Sequence, residues 1–187
     1  MPHARRPELA ARHPVHVTLR IARGLPNLRK GRTFRQLERA LRGGRERFGF
    51  RLVHFAVLSN HVHLVVEAEG ALSLSRGMQG LAVRMARAVN RILGRIGTVF
   101  AERYHARALR TPREVRNALA YVLGNARRHG LWLRRGAGDP CSSGKWFDGW
   151  AGTKRVLGLA SAPVTKARTW LLGVGWRRHG LLLIAGT

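Results

Sequence analysis

The chain has 187 residues, 45% of them hydrophobic, which suits one domain with a core of its own and an extension. Its 35 Lys and Arg residues against 9 Asp and Glu give a formal net charge of +26, an excess that repels itself on folding and attracts polyanions. Cys141 is the only cysteine, which excludes an internal disulfide and favours a reducing compartment.

Val15 to Ile21 alternates as a strand should, with His16, Thr18 and Arg20 on one face and Val15, Val17, Leu19 and Ile21 on the other. After the break "GLPN", Phe34, Leu37 and Leu41 recur at helical spacing up to a stop expected at Gly43-Gly44. "FRLVHFAVLS" and "HVHLVVEAE" read as two strands, and the short Ser59-Asn60 link between them suggests a hairpin. A long helix from Leu72 to Leu93 follows, with Met78, Leu81, Met85, Val89 and Ile92 as its core stripe. "RYHARALR" is a further strand candidate.

The next helix is marked at both ends. Thr111 stands three residues before Glu114, the capping-box spacing, with Pro112 at the first helical position. Gly130 is the expected stop, after the cations of "RRH". Strand, helix, two strands, helix, strand and helix fit an α+β domain: a ferredoxin-like antiparallel sheet with helices packed on it. Beyond Gly130 the composition changes to turn formers, and all five tryptophans lie there. We divide the chain into a domain at 1–130 and a basic, Trp-containing C-terminal extension at 131–187.

Chemistry concentrates in two of these elements. On a strand, His61 and His63 point to the same face, a pattern that serves either a metal clamp or a polar surface. On the last helix, Tyr121 and Asn125 are four residues apart and share one flank of the stripe formed by Val115, Leu119, Val122, Leu123 and Ala126. Taken together, two imidazoles and an amide oxygen could hold an exchangeable Mg²⁺ or Mn²⁺ against a phosphodiester. Tyr121 could then attack phosphorus and conserve the ester as a phosphotyrosine. Tyr104 is a second candidate nucleophile, on a strand and without a polar partner one turn away. Glu67 shares the histidine face and reads as solvated or structural, while His16, His54 and His105 read as strand or surface histidines.

"SNHVHLVVE" resembles the HUH motif, and "ALAYVLGNARRHG" resembles the tyrosine helix of single-tyrosine HUH transposases. Within that group the chain is most similar to REP-associated tyrosine transposases, or IS200-like transposases, over Pro14 to Gly130. The resemblance implies cleavage and joining of single-stranded DNA at hairpins through a 5′-phosphotyrosine. His61 and His63 would be metal ligands, Tyr121 the nucleophile, and Asn125 would complete the metal site. The order of motifs differs from that of relaxases, and Asn125 stands where two-tyrosine initiators would carry a second tyrosine. Two departures stand out: Ala126 follows Asn125 where relatives often carry proline, and Gly124 loosens the helix beside the nucleophile.

For DNA contacts we single out Arg84, Arg87 and Arg91 on the long helix and Arg127 and Arg128 after the tyrosine. The tail tryptophans either pin the extension to the domain or stack on unpaired bases. Two rival readings are a domesticated or inactive hairpin-binding protein and a basic RNA-binding protein; the strands offer few exposed aromatics for the latter. The N-terminus lacks a signal-peptide core and the apolar runs are too short to span a bilayer, so a cytoplasmic, nucleoid-associated protein is expected. Monomer and homodimer remain equally compatible with the sequence.

Overall fold

The computed structural model describes residues 9–125, 138–152 and 157–183. Its strands are β1 (Val15–Arg20), β2 (Glu46–Arg47), β3 (Phe50–Val57), β4 (His61–Ala68) and β5 (His105–Ala108), with helices α1 (Gly31–Gly44), α2 (Ala71–Leu93), α3 (Pro112–Leu123) and the short α4 (Trp170–Gly173). The five strands form one antiparallel sheet in the order β2-β3-β4-β1-β5. Without the two-residue β2, this is the ferredoxin-like order. No described helix is long and apolar enough to cross a membrane.

Period-two alternation gives the sheet two different faces. Val15, Val17, Leu19, Val62, Leu64 and Val66 join Leu37 and Leu41 of α1 and Met78, Leu81, Met85 and Val89 of α2 in the first core. Helix α1 ends at Gly44, at the glycine pair where the sequence places its stop. Gly44 is buried against α2, where a Cβ would come within 2.7 Å of Leu81 Cδ1. Tertiary packing, not turn formation, accounts for that glycine.

The opposite face carries the second core, in which Val53, Ala56 and Val65 meet Val115, Leu119, Val122 and Leu123 of α3. The capping box forms: Thr111 Oγ1 accepts from Glu114 N at 3.2 Å, and Glu114 Oε2 accepts from Thr111 N at 3.1 Å. The far end differs from expectation, because regular α3 closes at Leu123 with Gly124 as its cap. A Cβ on Gly124 would lie 2.8 Å from the Ala120 carbonyl oxygen, so glycine lets the backbone close tightly there. The expected stop at Gly130 lies outside the described residues.

The extension completes this second layer. Phe147, Trp150, Leu171, Leu172, Trp176 and Leu182 are buried in the same core as α3. It also covers the outer edge of β3, where Val57 N donates to Cys141 O at 2.8 Å and Thr165 N donates to Leu52 O at 2.9 Å. An uncovered strand there would present unpaired backbone groups. Arg29 grips Asp139 through two hydrogen bonds of 2.9 and 2.7 Å, fastening the start of this segment beside Val57.

Candidate active site

Strand register brings β1 and β4 side by side so that Thr18 pairs with His63 and Arg20 with His61. His61 is half-buried at the start of β4, and His63 is buried two residues on. Their rings stand 4.7 Å apart, nearly perpendicular. Tyr121, half-buried in the last turn of α3, lays its ring 5.1 Å from that of His63, also edge to face. Val115, Leu119 and Val122 hold that helix on the sheet, and Tyr121 emerges at the boundary of the same apolar layer.

Sequence reasoning passed over two members of this cluster. His16 Nε2 lies 3.2 Å and Thr18 Oγ1 lies 3.1 Å from His63 Nδ1. The His16 ring is also 5.8 Å from Tyr121, so this residue is part of the cluster and not an ordinary strand histidine. The signal was present in the sequence: His16 and Thr18 share a strand face, but only the pairing of β1 with β4 puts that face beside His63. Burial, assisted by the Arg107 charge, pushes the His16 pKa below its ordinary value. His16 is therefore a neutral neighbour for His63 at neutral pH.

These contacts orient the imidazoles. His61 Nδ1–H donates to Asn60 Oδ1 at 2.7 Å, which leaves the lone pair of that ring on Nε2. A proton on His63 Nδ1, donated to Thr18 Oγ1 or His16 Nε2, does the same for His63. Outer partners of this kind fix the tautomer and direction of metal-binding histidines. Asn125, one residue past the α3 cap, is fully buried, and neither its Oδ1 nor its Nδ2 has a hydrogen-bond partner among the described residues. A buried amide left in that state costs about 1–3 kcal/mol. No group of three or more His, Cys, Asp or Glu side chains among the described residues is arranged to hold a metal, so a third protein ligand would have to be of another type.

The other candidates lie elsewhere. Arg84, Arg87 and Arg91 are exposed on α2, whose buried stripe packs on the opposite side of the sheet from His61 and His63. Arg127 and Arg128 lie outside the described residues. Tyr104 packs against the first core, away from the histidine face. Glu67 is buried and structural: its carboxylate accepts from Arg168 N, Thr169 N and Thr169 Oγ1 at 2.8 to 3.1 Å. Cationic groups that do share the site face include the exposed Arg20 and Arg107, the latter paired with Glu114 at 3.0 Å.

Comparison with known proteins bears on the fold and the family. A solved structure of a REP-associated tyrosine transposase bound to a REP hairpin superposes with a TM-score of 0.61 at 18% identity, covering 87% of this chain and 97% of that one. At that identity the likeness speaks for the fold. No curated protein sequence matches the chain significantly. The profile of the family described as "Transposase IS200 like" matches residues 13–124, which span the sheet, the histidine pair, Tyr121 and all of α3. A match over that much of the chain, on a fold shared with a tyrosine transposase, shows that the chain belongs to the IS200-like transposase family.

Proposed function

We propose that this transposase nicks and rejoins single-stranded DNA at hairpins through a covalent 5′-phosphotyrosine on Tyr121. The observation that carries the reading is the contact of the Tyr121 ring with His63, which joins the candidate nucleophile to the histidine pair. In the reaction, the Tyr121 oxygen attacks phosphorus and forms an O–P bond as the P–O3′ bond breaks. The phenolic proton is lost and the departing 3′ oxygen gains one. Because one phosphodiester replaces another, attack by a 3′-OH on the phosphotyrosine restores the strand without ATP.

The donor set fits a divalent cation. His61 and His63 would hold it through oriented imidazoles, and the buried, unsatisfied Asn125 amide is a fitting third ligand. When bound, Mg²⁺ or Mn²⁺ would polarise the phosphate and stabilise charge on its oxygens. The chain's own residues supply the rest: Thr18 and His16 orient His63, and α3 presents Tyr121. The structural relative's hairpin ligand and the charge of +26 support hairpin DNA as the substrate class. Residues 1–130 would form the catalytic domain, with 131–187 as an extension that helps to cover it.

A denaturing gel tests this. Labelled single-stranded hairpin DNA with Mg²⁺ or Mn²⁺ should give a covalent adduct with the protein. The adduct should vanish in Tyr121→Phe and on chelation. Tight hairpin binding with no adduct under any divalent metal would overturn the reading and leave a DNA-binding protein.

A further inference from the structure

Three of the tail tryptophans are structural pins. Trp146, Trp150 and Trp176 are only 9%, 8% and 1% exposed. The indole N–H of Trp150 donates to Gly144 O at 2.8 Å, and that of Trp176 donates to Leu172 O at 3.0 Å. Trp170 is different. It is 49% exposed, yet its ring is held in place. Gly175 lies so close that a Cβ there would come within 2.6 Å of Trp170 Cζ3, and the Arg178 guanidinium sits 4.8 Å from the ring centroid.

The surroundings suit a nucleic acid. Arg178 is exposed and forms no ion pair among the described residues, whereas its neighbour Arg177 is held by Asp148 at 2.6 Å. A seated indole beside an unneutralised guanidinium offers a π-face for a base and a charge for its phosphate. Rigid seating also lowers the ordering cost of binding.

Position ties this pair to the reaction centre. Trp170 follows Thr169, whose N–H and hydroxyl both donate to Glu67 Oε1 at 2.8 Å. Glu67 is on β4, on the face that carries His61 and His63. It stands roughly 13 Å along the strand from His63, at ~3.3 Å per residue. The carboxylate thus fixes the Trp170 segment at a set distance from the histidines.

We propose that Trp170 and Arg178 form a stacking platform for an unpaired nucleotide of the substrate DNA, a few nucleotides from the strand position held at Tyr121. The proposal rests on the single-stranded DNA reading above, and its test reads binding and stacking instead of cleavage. The full chain carrying Tyr121→Phe would be titrated with a hairpin bearing a single-stranded flank, with 2-aminopurine placed at successive flank positions, and with the same hairpin lacking the flank. One flank position should be quenched on binding. Adding Trp170→Leu should abolish that quench and weaken flanked-hairpin binding roughly 5- to 100-fold, leaving the blunt hairpin unchanged. Trp170→Phe should restore most of the affinity. Arg178→Ala should weaken the flanked hairpin and lower the magnitude of its salt-dependence slope by about one phosphate contact.

Unchanged flanked binding in Trp170→Leu and Arg178→Ala would overturn the platform, as would equal weakening of blunt and flanked DNA. Tighter, Trp170-dependent binding of matched RNA would overturn DNA as its occupant. The two readings fail separately. Trp170-dependent stacking in a protein whose unsubstituted form gives no adduct keeps the platform and removes the nicking reaction. An adduct without Trp170 dependence does the reverse.

Discussion

Two polar clusters lie along one face of β4, and they are built to opposite rules. At one end, Glu67 is saturated: four hydrogen bonds from residues 168 and 169, and Arg51 Nε at 3.4 Å. At the other end, His61 and His63 stand with His16, Thr18 and Tyr121 at the half-buried edge of α3. The fold fixes the geometry of the Glu67 carboxylate, whose acceptor positions are occupied by residues 168 and 169. The imidazole cluster combines oriented rings and a phenol, and Asn125, one residue past α3, carries a buried amide with no hydrogen-bond partner among the described residues. Low-dielectric surroundings penalise an unsatisfied polar group, so a fold keeps one where something else uses it.

The largest effect on stability should come from the saturated end. Glu67→Ala removes the acceptor for Arg168 and Thr169 and leaves the Arg51 guanidinium, itself buried, with a lost partner. Breaking a buried charged network in this way costs about 3–5 kcal/mol. For a chain of this size each kcal/mol lowers Tm by about 2–4 °C. A drop in Tm of roughly 10 °C is therefore expected by calorimetry. A change smaller than about 2 °C would show that the bracket does not hold the extension, and would weaken the argument that it positions Trp170.

A fourth imidazole on this face sharpens the division. His54 pairs in register with Val65, midway between the two clusters. Its Nδ1 lies 3.2 Å from Ser143 Oγ and its ring packs edge-on to Phe147. Burial pushes its pKa down to about 4, against a small opposing pull from Asp148. Between about pH 4 and 6.5 the unfolded chain therefore binds more protons at this residue than the folded one. His54 stabilisation is complete above pH 6.5, declines as pH falls, and levels off below about 4. The upper bound is about 3 kcal/mol. Urea unfolding across that range should show stability rising with pH, and His54→Gln should flatten the rise. An unaltered slope in the variant would mean that His54 protonates as easily folded as unfolded.

Much of this was legible beforehand because local rules and tertiary structure agreed. Alternation marked the strands, the Thr111–Glu114 spacing marked the start of α3, and the histidine pair and tyrosine announced a shared site. The failures have physical causes. His16 was passed over because its importance depends on β1 pairing with β4, a long-range register that period-two alternation does not reveal. Regular α3 is capped at Gly124, a residue the sequence marks only as loosening the helix, and the stop expected at Gly130 lies outside the described residues. Gly44 does end α1, but its close approach to α2 is a packing role that a stop signal does not announce. Arg84, Arg87 and Arg91, singled out for DNA contacts, lie on a helix across the sheet from the histidines, a placement that charge on a helix does not reveal. The pinning reading of the tail agrees with Phe147 and Trp150, which are inside the core that seats α3, and Trp176 joins them there.

Asn125 provides the smallest effect and the most direct contrast with Glu67. Both are polar and buried, yet one has every partner and the other has none among the described residues. Substituting a satisfied group destabilises, whereas removing an unsatisfied one relieves a desolvation cost and offsets the small cavity left behind. Asn125→Ala should therefore leave Tm unchanged or raise it, by the equivalent of about 1 kcal/mol, in metal-free buffer. Added Mn²⁺ should stabilise the parent and not the variant, because a ligand that binds only the folded state raises its stability. Thermal melts with and without metal read both arms. A fall in Tm of several degrees for metal-free Asn125→Ala would place the amide among the structural groups, and equal metal stabilisation of the two proteins would remove it from the ligand set.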